Sequence, residues 1–249
     1  MYTHTVARTE ATPVFVAIRE DGAVDLDAIL QAVTPATSLA IVCNPNNPTG
    51  TFLIKEEIED FMDRMPSDVV ILLDEAYWEL TETAFDPKYS TVPLLAKYPN
   101  LIITRTFSKF YGLAGLRVGF ALTANSLVAE SIVASGPGLM ISRLAQEVAI
   151  TCLELEAIYR QKAMEIIEER TRVRDILLEL GYAVYPSQTN FLTFPFPTQT
   201  VPFVEAGIQV RGGDSMQMPG YIRISLGTEN ENDQVIAILR NHVMAPFGY

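Results

Sequence analysis

Short apolar runs punctuate the first half of the chain at residues 14–18, 39–43, 69–73, 101–104 and 118–122. Each is rich in Val, Ile, Leu or Phe and nearly apolar throughout, the pattern of a strand buried on both faces. Between them, residues 26–33, 55–65 and 126–134 place apolar side chains at helical spacing. Alternation of strand and helix predicts an α/β unit with a mostly parallel sheet and flanking helices.

The pattern changes near residue 142. Residues 142–180 read as one or two long amphipathic helices, clearest over 157–180, with Gly181 as a helix stop. Short strands are expected at 183–185, 191–194, 208–211 and 221–225, and a last helix near 232–243. The proline-rich stretch 195–202 is a loop or a helix start. The organisation is therefore a large unit over 1–141, connecting helices over 142–180 and a small α+β C-terminal domain over 181–249.

Composition narrows the function. With 49% hydrophobic residues in 249, the chain has ample material for a packed core and is no disordered chain. A net charge of −12 repels a polyanion, so nucleic acid is set aside as a partner. Anionic small molecules remain candidates where arginines cluster. Cys43 and Cys152 form no CxxC, and His4 and His242 lie at opposite ends, so neither a disulfide scaffold nor a metal centre is expected. The first residues show no signal segment, and no apolar run reaches the ~18 residues that span a bilayer. A soluble cytoplasmic protein without a membrane partner is the expectation.

Four segments carry candidate chemistry, and three begin where an expected strand ends, which is where open α/β sheets bind ligands. In Asn44-Pro45-Asn46-Asn47-Pro48-Thr49-Gly50 the prolines, asparagines and glycine force an irregular loop. It is either a plain turn or a device that holds an Asn amide above the sheet. Asp74, directly after an apolar run and followed by Glu75-Ala76-Tyr77, either caps the next helix or pairs with a bound cation such as a protonated pyridine nitrogen. Thr106, Ser108, Lys109 and Arg117 follow another run with glycines among them. Hydroxyls and a guanidinium suit a phosphate, and a lysine among apolar groups and other cations suits covalent chemistry with a carbonyl. Arg223, in Tyr221-Ile222-Arg223-Ile224-Ser225, is an edge residue or an anion clamp, and Arg211 beside Gly212 and Gly213 is a weaker candidate of the same kind.

The set NPNNPTG, DEAY, TFSK with an arginine eight positions on, and YIRISLGT resembles, along essentially the whole chain, the fold-type I enzymes that use pyridoxal 5'-phosphate (PLP). It is most similar to the histidinol-phosphate aminotransferase family. The resemblance implies that Lys109 holds the cofactor aldehyde and moves the α-proton, and that Asp74 partners the pyridine nitrogen. It implies Asn47 and Tyr77 as donors to the phenolic oxygen, and Thr106, Ser108 and Arg117 as ligands of the cofactor phosphate. Arg223 matches the clamp on the substrate α-carboxylate, Asn190 a position beside it, and Arg211 the place that meets a substrate phosphate. The implied reaction is transamination between an amino acid or a histidinol-phosphate-like donor and a 2-oxo acid, in a homodimer. The alternatives are a decarboxylase of the threonine-phosphate type and a non-catalytic remnant.

Two departures stand out. Family members carry a further stretch ahead of the position matching Met1, with a glycine-containing phosphate loop, a stacking aromatic and an N-terminal arm; Tyr2 falls just past the stacking position. The large domain is thus expected to be partial, a truncated version of a longer enzyme. Ser135-Gly136-Pro137-Gly138-Leu139 stands where the family has a Pro-Phe-Asn-like segment.

Overall fold

The computed structural model describes residues 2–6, 8–136, 141–196 and 200–242, with residues 3 and 4 as backbone only. In chain order the elements are α1 (Tyr2–Val6), α2 (Leu26–Ala32), β1 (Leu39–Cys43), α3 (Lys55–Arg64), β2 (Val70–Asp74), β3 (Leu101–Thr106), β4 (Gly119–Leu122), α4 (Ser126–Ser135), α5 (Arg143–Glu154), α6 (Glu156–Glu179), β5 (Phe191–Pro195), α7 (Val201–Glu205), β6 (Arg211–Gly212), β7 (Tyr221–Ser225) and α8 (Glu229–Asn241). Two sheets result, ordered β1-β2-β3-β4 and β5-β7-β6. β1, β2 and β3 are parallel, and β4 returns antiparallel to β3. The second sheet is antiparallel throughout.

Local chemistry explains the boundaries. Asp25 accepts from Ala28 N–H at the start of α2, and Ser142 accepts from Ala145 N–H at the start of α5. Thr228 and Glu231 cap α8 reciprocally. Gly181 takes φ +87° directly after α6, where the Tyr182 N–H reaches back to the Leu177 carbonyl at 2.9 Å. The helix stop expected at Gly181 is therefore real.

One core lies between the first sheet and α2 and α3, with Val42, Ile58, Phe61, Ile71, Leu73 and Ile103 buried. A second packs α6 and α8 on the small sheet through Val173, Leu177, Leu192, Phe194, Ile222 and Leu239. A third, smaller cluster joins them: Tyr77, Leu80, Phe110, Ala163 and Phe191. This junction lies under the candidate site.

Four sequence expectations need correction. Residues 14–18 form no strand; Val14 is 71% and Phe15 65% exposed. Extended apolar backbone needs a ladder partner, and none of the described residues supplies one. Residues 183–185 likewise run irregularly, with Val184 N–H on the Tyr182 carbonyl and Tyr185 N–H on the Thr193 carbonyl and no ladder. The run at 118–122 is not buried on both faces: β4 is an edge strand, and Phe120 is 42% exposed. The strand expected at 208–211 shrinks to Arg211–Gly212. The stretch at 195–202 yields α7 with Pro202 in its first turn. Most of the Ser135–Leu139 departure and the end of the last helix at Val243 lie outside the described residues. No described helix is long and apolar enough to cross a membrane.

Candidate functional site

Asp74 ends β2 and pairs in register with Cys43 at the end of β1 and with Thr104 on β3. The segments after β1, β2 and β3 therefore start from adjacent points on one sheet edge, as the sequence implied.

After β1 the chain bends through a cis Asn44–Pro45 bond. The three asparagines divide the work. Buried Asn44 accepts from Leu53 N–H at 2.7 Å and donates to the Leu53 carbonyl at 2.8 Å. Asn46 donates to Thr49 Oγ1 at 2.8 Å. Asn47 alone is exposed, and its Oδ1 accepts from Arg223 Nη1 at 2.6 Å. Two amides thus rigidify the loop that presents the third.

Asp74 is 9% exposed and accepts from Ala76 N–H at 3.1 Å. The Tyr2 hydroxyl also donates to its Oδ2. Burial, with Cys43 and Asp74 beside it, holds the Tyr2 phenol protonated far above its ordinary range. The Cys43 thiol is pushed up to about 11, first by burial and then by Asp74. The carboxylate is thereby bordered by protonated groups. Tyr2 was legible in the sequence only as an aromatic near the stacking position; its contact with Asp74 was not.

Lys109 stands in the turn after β3, and its Nζ lies 5.3 Å from the centre of the Tyr77 ring. The sequence suggested a lysine enclosed by apolar groups. The structure corrects this: Lys109 is exposed, with the Tyr77 ring beside its amine. Tyr77 is buried and meets Phe191 edge-on at 5.3 Å, and the Arg223 guanidinium lies 4.7 Å from the Phe191 ring centre. Lys109, Tyr77, Phe191 and Arg223 therefore form one continuous path. Two rings separate the amine from the guanidinium, and cation–π attraction favours each end.

The remaining candidates fall around this path. Thr106 Oγ1 accepts from Ser108 N–H at 3.0 Å and donates to the Val118 carbonyl at 3.3 Å, folding the turn over itself. Arg117 caps the short turn Ala114–Leu116 in the left-handed region, φ 57°, with Nη1 on the Ala114 carbonyl at 3.0 Å. A non-glycine residue there is uncommon and marks a specified geometry. Asn190 sits directly before Phe191 and is half-buried. Arg211 is the register partner of Arg223, and the two line a cavity of about 420 Å³ with Gln209, Ser215 and Ser225. Burial pushes Arg223 below the usual arginine range, and Arg211 adds to this; Tyr77 opposes it. Arg223 Nε is buried without a hydrogen-bond partner.

Among the described residues, Lys109, Arg117, Arg211 and Arg223 form no ion pair with any carboxylate. In a chain of net charge −12, the unpaired cations Lys109, Arg223 and Arg211 along this path are a receptor for anions.

Sequence reasoning missed one further residue. Arg170 is 2% exposed on the apolar stripe of α6, with Ala163, Val173 and Leu177. An arginine at a core position of an amphipathic repeat was the available signal.

The sequence and the fold both resemble those of known proteins. The family model described as aminotransferase class I and II matches residues 1–239. The histidinol-phosphate aminotransferase of Bacillus subtilis (strain 168) is 39% identical over 242 residues, covering 96% of this chain and 66% of that protein. The aromatic amino acid aminotransferase of Rhodococcus jostii (strain RHA1) is 40% identical over 233 residues, covering 91% of this chain and 62% of that protein. The chain thus spans about two-thirds or less of these relatives. The crystal structure of the histidinol-phosphate aminotransferase of Sinorhizobium meliloti in complex with pyridoxal-5'-phosphate superposes with a TM-score of 0.85 at 28% identity, covering 97% of this chain and 67% of that one.

Proposed function

The chain belongs to the class I and II aminotransferases, and from that premise we propose that it carries the Lys109 face of a PLP-dependent transamination site. The reaction would run between an amino acid or a histidinol-phosphate-like donor and a 2-oxo acid.

The observation that carries this reading is the run of unpaired cations Lys109, Arg223 and Arg211 along one path, whose Tyr77 lies three residues after the sequestered carboxylate of Asp74. The residues present fit the cofactor. Asp74 would hold the ring nitrogen, and Asn47 and Tyr77 the phenolic oxygen. Thr106, Ser108 and Arg117 would hold the phosphate, and Lys109 the aldehyde. When bound, PLP supplies a conjugated ring that accepts the electron pair left on the substrate α-carbon as its proton leaves.

Each side chain then has a task. The Lys109 amine takes the α-proton and returns it to the adjacent position, and the Tyr77 ring restrains that amine. Asp74, held by Ala76 N–H and Tyr2, keeps its partner nitrogen protonated. Arg223 grips the α-carboxylate with a planar fork. Arg211, across the cavity it shares with Arg223, suits a phosphate or second carboxylate at the far end of the substrate. The exposed edge strand β4 and the exposed Val14 and Phe15 favour burial against a second copy, in a homodimer.

The test is spectral and then chemical. PLP added to the purified protein is expected to produce visible absorption that histidinol phosphate or L-glutamate bleaches, with one ketone or one 2-oxoglutarate formed per amine taken up, and that 2-oxoglutarate restores after histidinol phosphate, with one L-glutamate formed. Carbon dioxide released without an oxo product would replace this reading with decarboxylation. A protein that takes up no PLP would overturn it.

A further inference from the structure

We propose that Arg170 is a positioning residue that fixes the Tyr77 turn against the Asn190 segment, so that one buried guanidinium sets the separation of two walls of the site. This inference rests on the reading of the site given above.

Arg170 lies on α6, remote in sequence from every residue of the site. Its Nη1 donates to the Leu80 carbonyl at 2.9 Å and to the Thr189 carbonyl at 3.2 Å. Its Nη2 reaches Glu82 Oε1 at 3.1 Å. The two carbonyls belong to the two segments that flank the path from Lys109 to Arg223. Leu80 closes the short 3₁₀ turn Trp78–Leu80, whose last N–H bonds back to the Tyr77 carbonyl at 3.0 Å. Thr189 immediately precedes Asn190 and belongs to a knot in which Ser187 and Thr189 both donate to the Phe191 carbonyl. The Tyr77 and Phe191 rings then touch edge-on.

Packing alone does not account for an arginine here. Its neighbours on the stripe are Ala163, Val173 and Leu177, and an apolar residue of similar volume would fill that space without desolvating a charge. Burial pushes Arg170 below the usual arginine range, the direction expected of a charge held at a cost. The ion pair is the weaker part of the arrangement, since Glu82 is 54% exposed and screened. The carbonyl bonds are dry and directional. They specify how far the turn stands from the segment, which packing would leave loose.

Trp78, the chain's one tryptophan, reports on this turn: it is 2% exposed and stacks obliquely on Phe52 at 5.8 Å. In folded Arg170→Met, iodide quenching of Trp78 fluorescence is expected to rise about threefold or more, as the turn opens. In the PLP-loaded protein the same variant is expected to keep its visible absorption and cofactor affinity, while half-saturation by L-glutamate rises about tenfold, the scale set by misplacing a binding group. Glu82→Gln keeps an oxygen acceptor and both carbonyl bonds and should remain within about twofold on both readouts. Should Arg170→Met not fold, Arg170→Lys keeps the charge but replaces the fork with a single ammonium, and the same shifts are read on it. Unchanged quenching and unchanged L-glutamate titration in a folded variant would overturn the proposal, leaving Arg170 a mere packing residue. If even the unsubstituted protein takes up no PLP, the functional reading fails, and the Trp78 measurement still decides the role of Arg170.

Discussion

Arg223 donates from Nη1 to Asn47 Oδ1 at 2.6 Å, joining residues 176 positions apart. The bond ties the small sheet to the loop after β1, the guanidinium expected to hold substrate to the amide expected to meet the cofactor. Asn47 offers only a neutral acceptor. A substrate carboxylate would be a charged one, and charge-assisted bonds are about twice as strong, so on the proposed reading a carboxylate would displace the amide. Replacing Arg223 with Gln is expected to raise half-saturation by L-glutamate about 100-fold, at roughly 1.5–3 kcal/mol for a bond to a charged group, while cofactor absorption persists. Lysine at the same position should recover only part of the loss, because a point charge cannot reproduce the fork.

Lys109 is exposed, forms no ion pair among the described residues and has its amine 5.3 Å from the centre of the Tyr77 ring. Its removal should therefore leave the cofactor-free protein nearly as stable as before, within about 0.5 kcal/mol, the usual range for a surface substitution. The visible absorption of the loaded protein should vanish entirely in Lys109→Ala. Thermal unfolding without PLP and absorbance with it separate the two effects. A large fall in unfolding temperature would assign Lys109 a structural task instead.

The sequence-to-structure relation was uneven, for reasons that specific residues show. β1 fell on the expected residues because Leu39–Cys43 is apolar and bounded by loop formers. Gly181 stopped α6 because the left-handed turn there suits a residue without a side chain. Residues 14–18 misled because apolar composition announces a strand without saying whether a neighbour exists to pair with it. The loop after β1 announced itself through its prolines and asparagines, yet only coordinates separate Asn44 and Asn46, which brace the loop, from Asn47, which faces Arg223. Arg170 escaped notice because its acceptors, the Leu80 and Thr189 carbonyls, are backbone groups that every residue carries.

Gly50 sets how closely that loop approaches the small sheet. Its φ is +82°, and a Cβ built on it would stand 2.2 Å from Ser187 Oγ and 2.7 Å from Ser187 Cβ. The adjacent Gly50 carbonyl accepts from Gln188 N–H at 2.7 Å, so the two strands of chain cannot part without losing that bond. Gly50→Ala combines a left-handed residue costing about 1–2 kcal/mol with an overpacked contact costing about 1–3 kcal/mol. An unfolding free energy lower by about 2 kcal/mol or more is expected in denaturant titration. In a Ser187→Gly background, which itself loses the Ser187 Oγ bond to the Phe191 carbonyl, the further change Gly50→Ala should cost only the conformational share, and an undiminished cost there would contradict this division.

Glu79 introduces a pH dependence of stability that is unusual in sign. Burial pushes its carboxyl up to about 7; a backbone bond and Arg105 pull it down, and Glu75 raises it further. Arg105 is already committed to Glu75, Nε to Oε2 at 2.9 Å, and Glu79 Oε2 is buried without a partner. An unfolded glutamate titrates near 4.5, so between about pH 4.5 and 7 the unfolded chain has lost the proton that the folded chain retains. The contribution of this group is therefore full below about pH 4.5, declines as pH rises and is gone above about pH 7. At 1.36 kcal/mol per pKa unit the loss is at most about 3 kcal/mol. Glu79→Gln, which is neutral at every pH, should abolish the decline: unfolding free energies measured from pH 4.5 to 8 are expected to run flatter than those of the parent and to exceed them at the alkaline end. Parallel curves for the two proteins would show that Glu79 ionises normally and that its surroundings are wetter than the burial of its Oε2 implies.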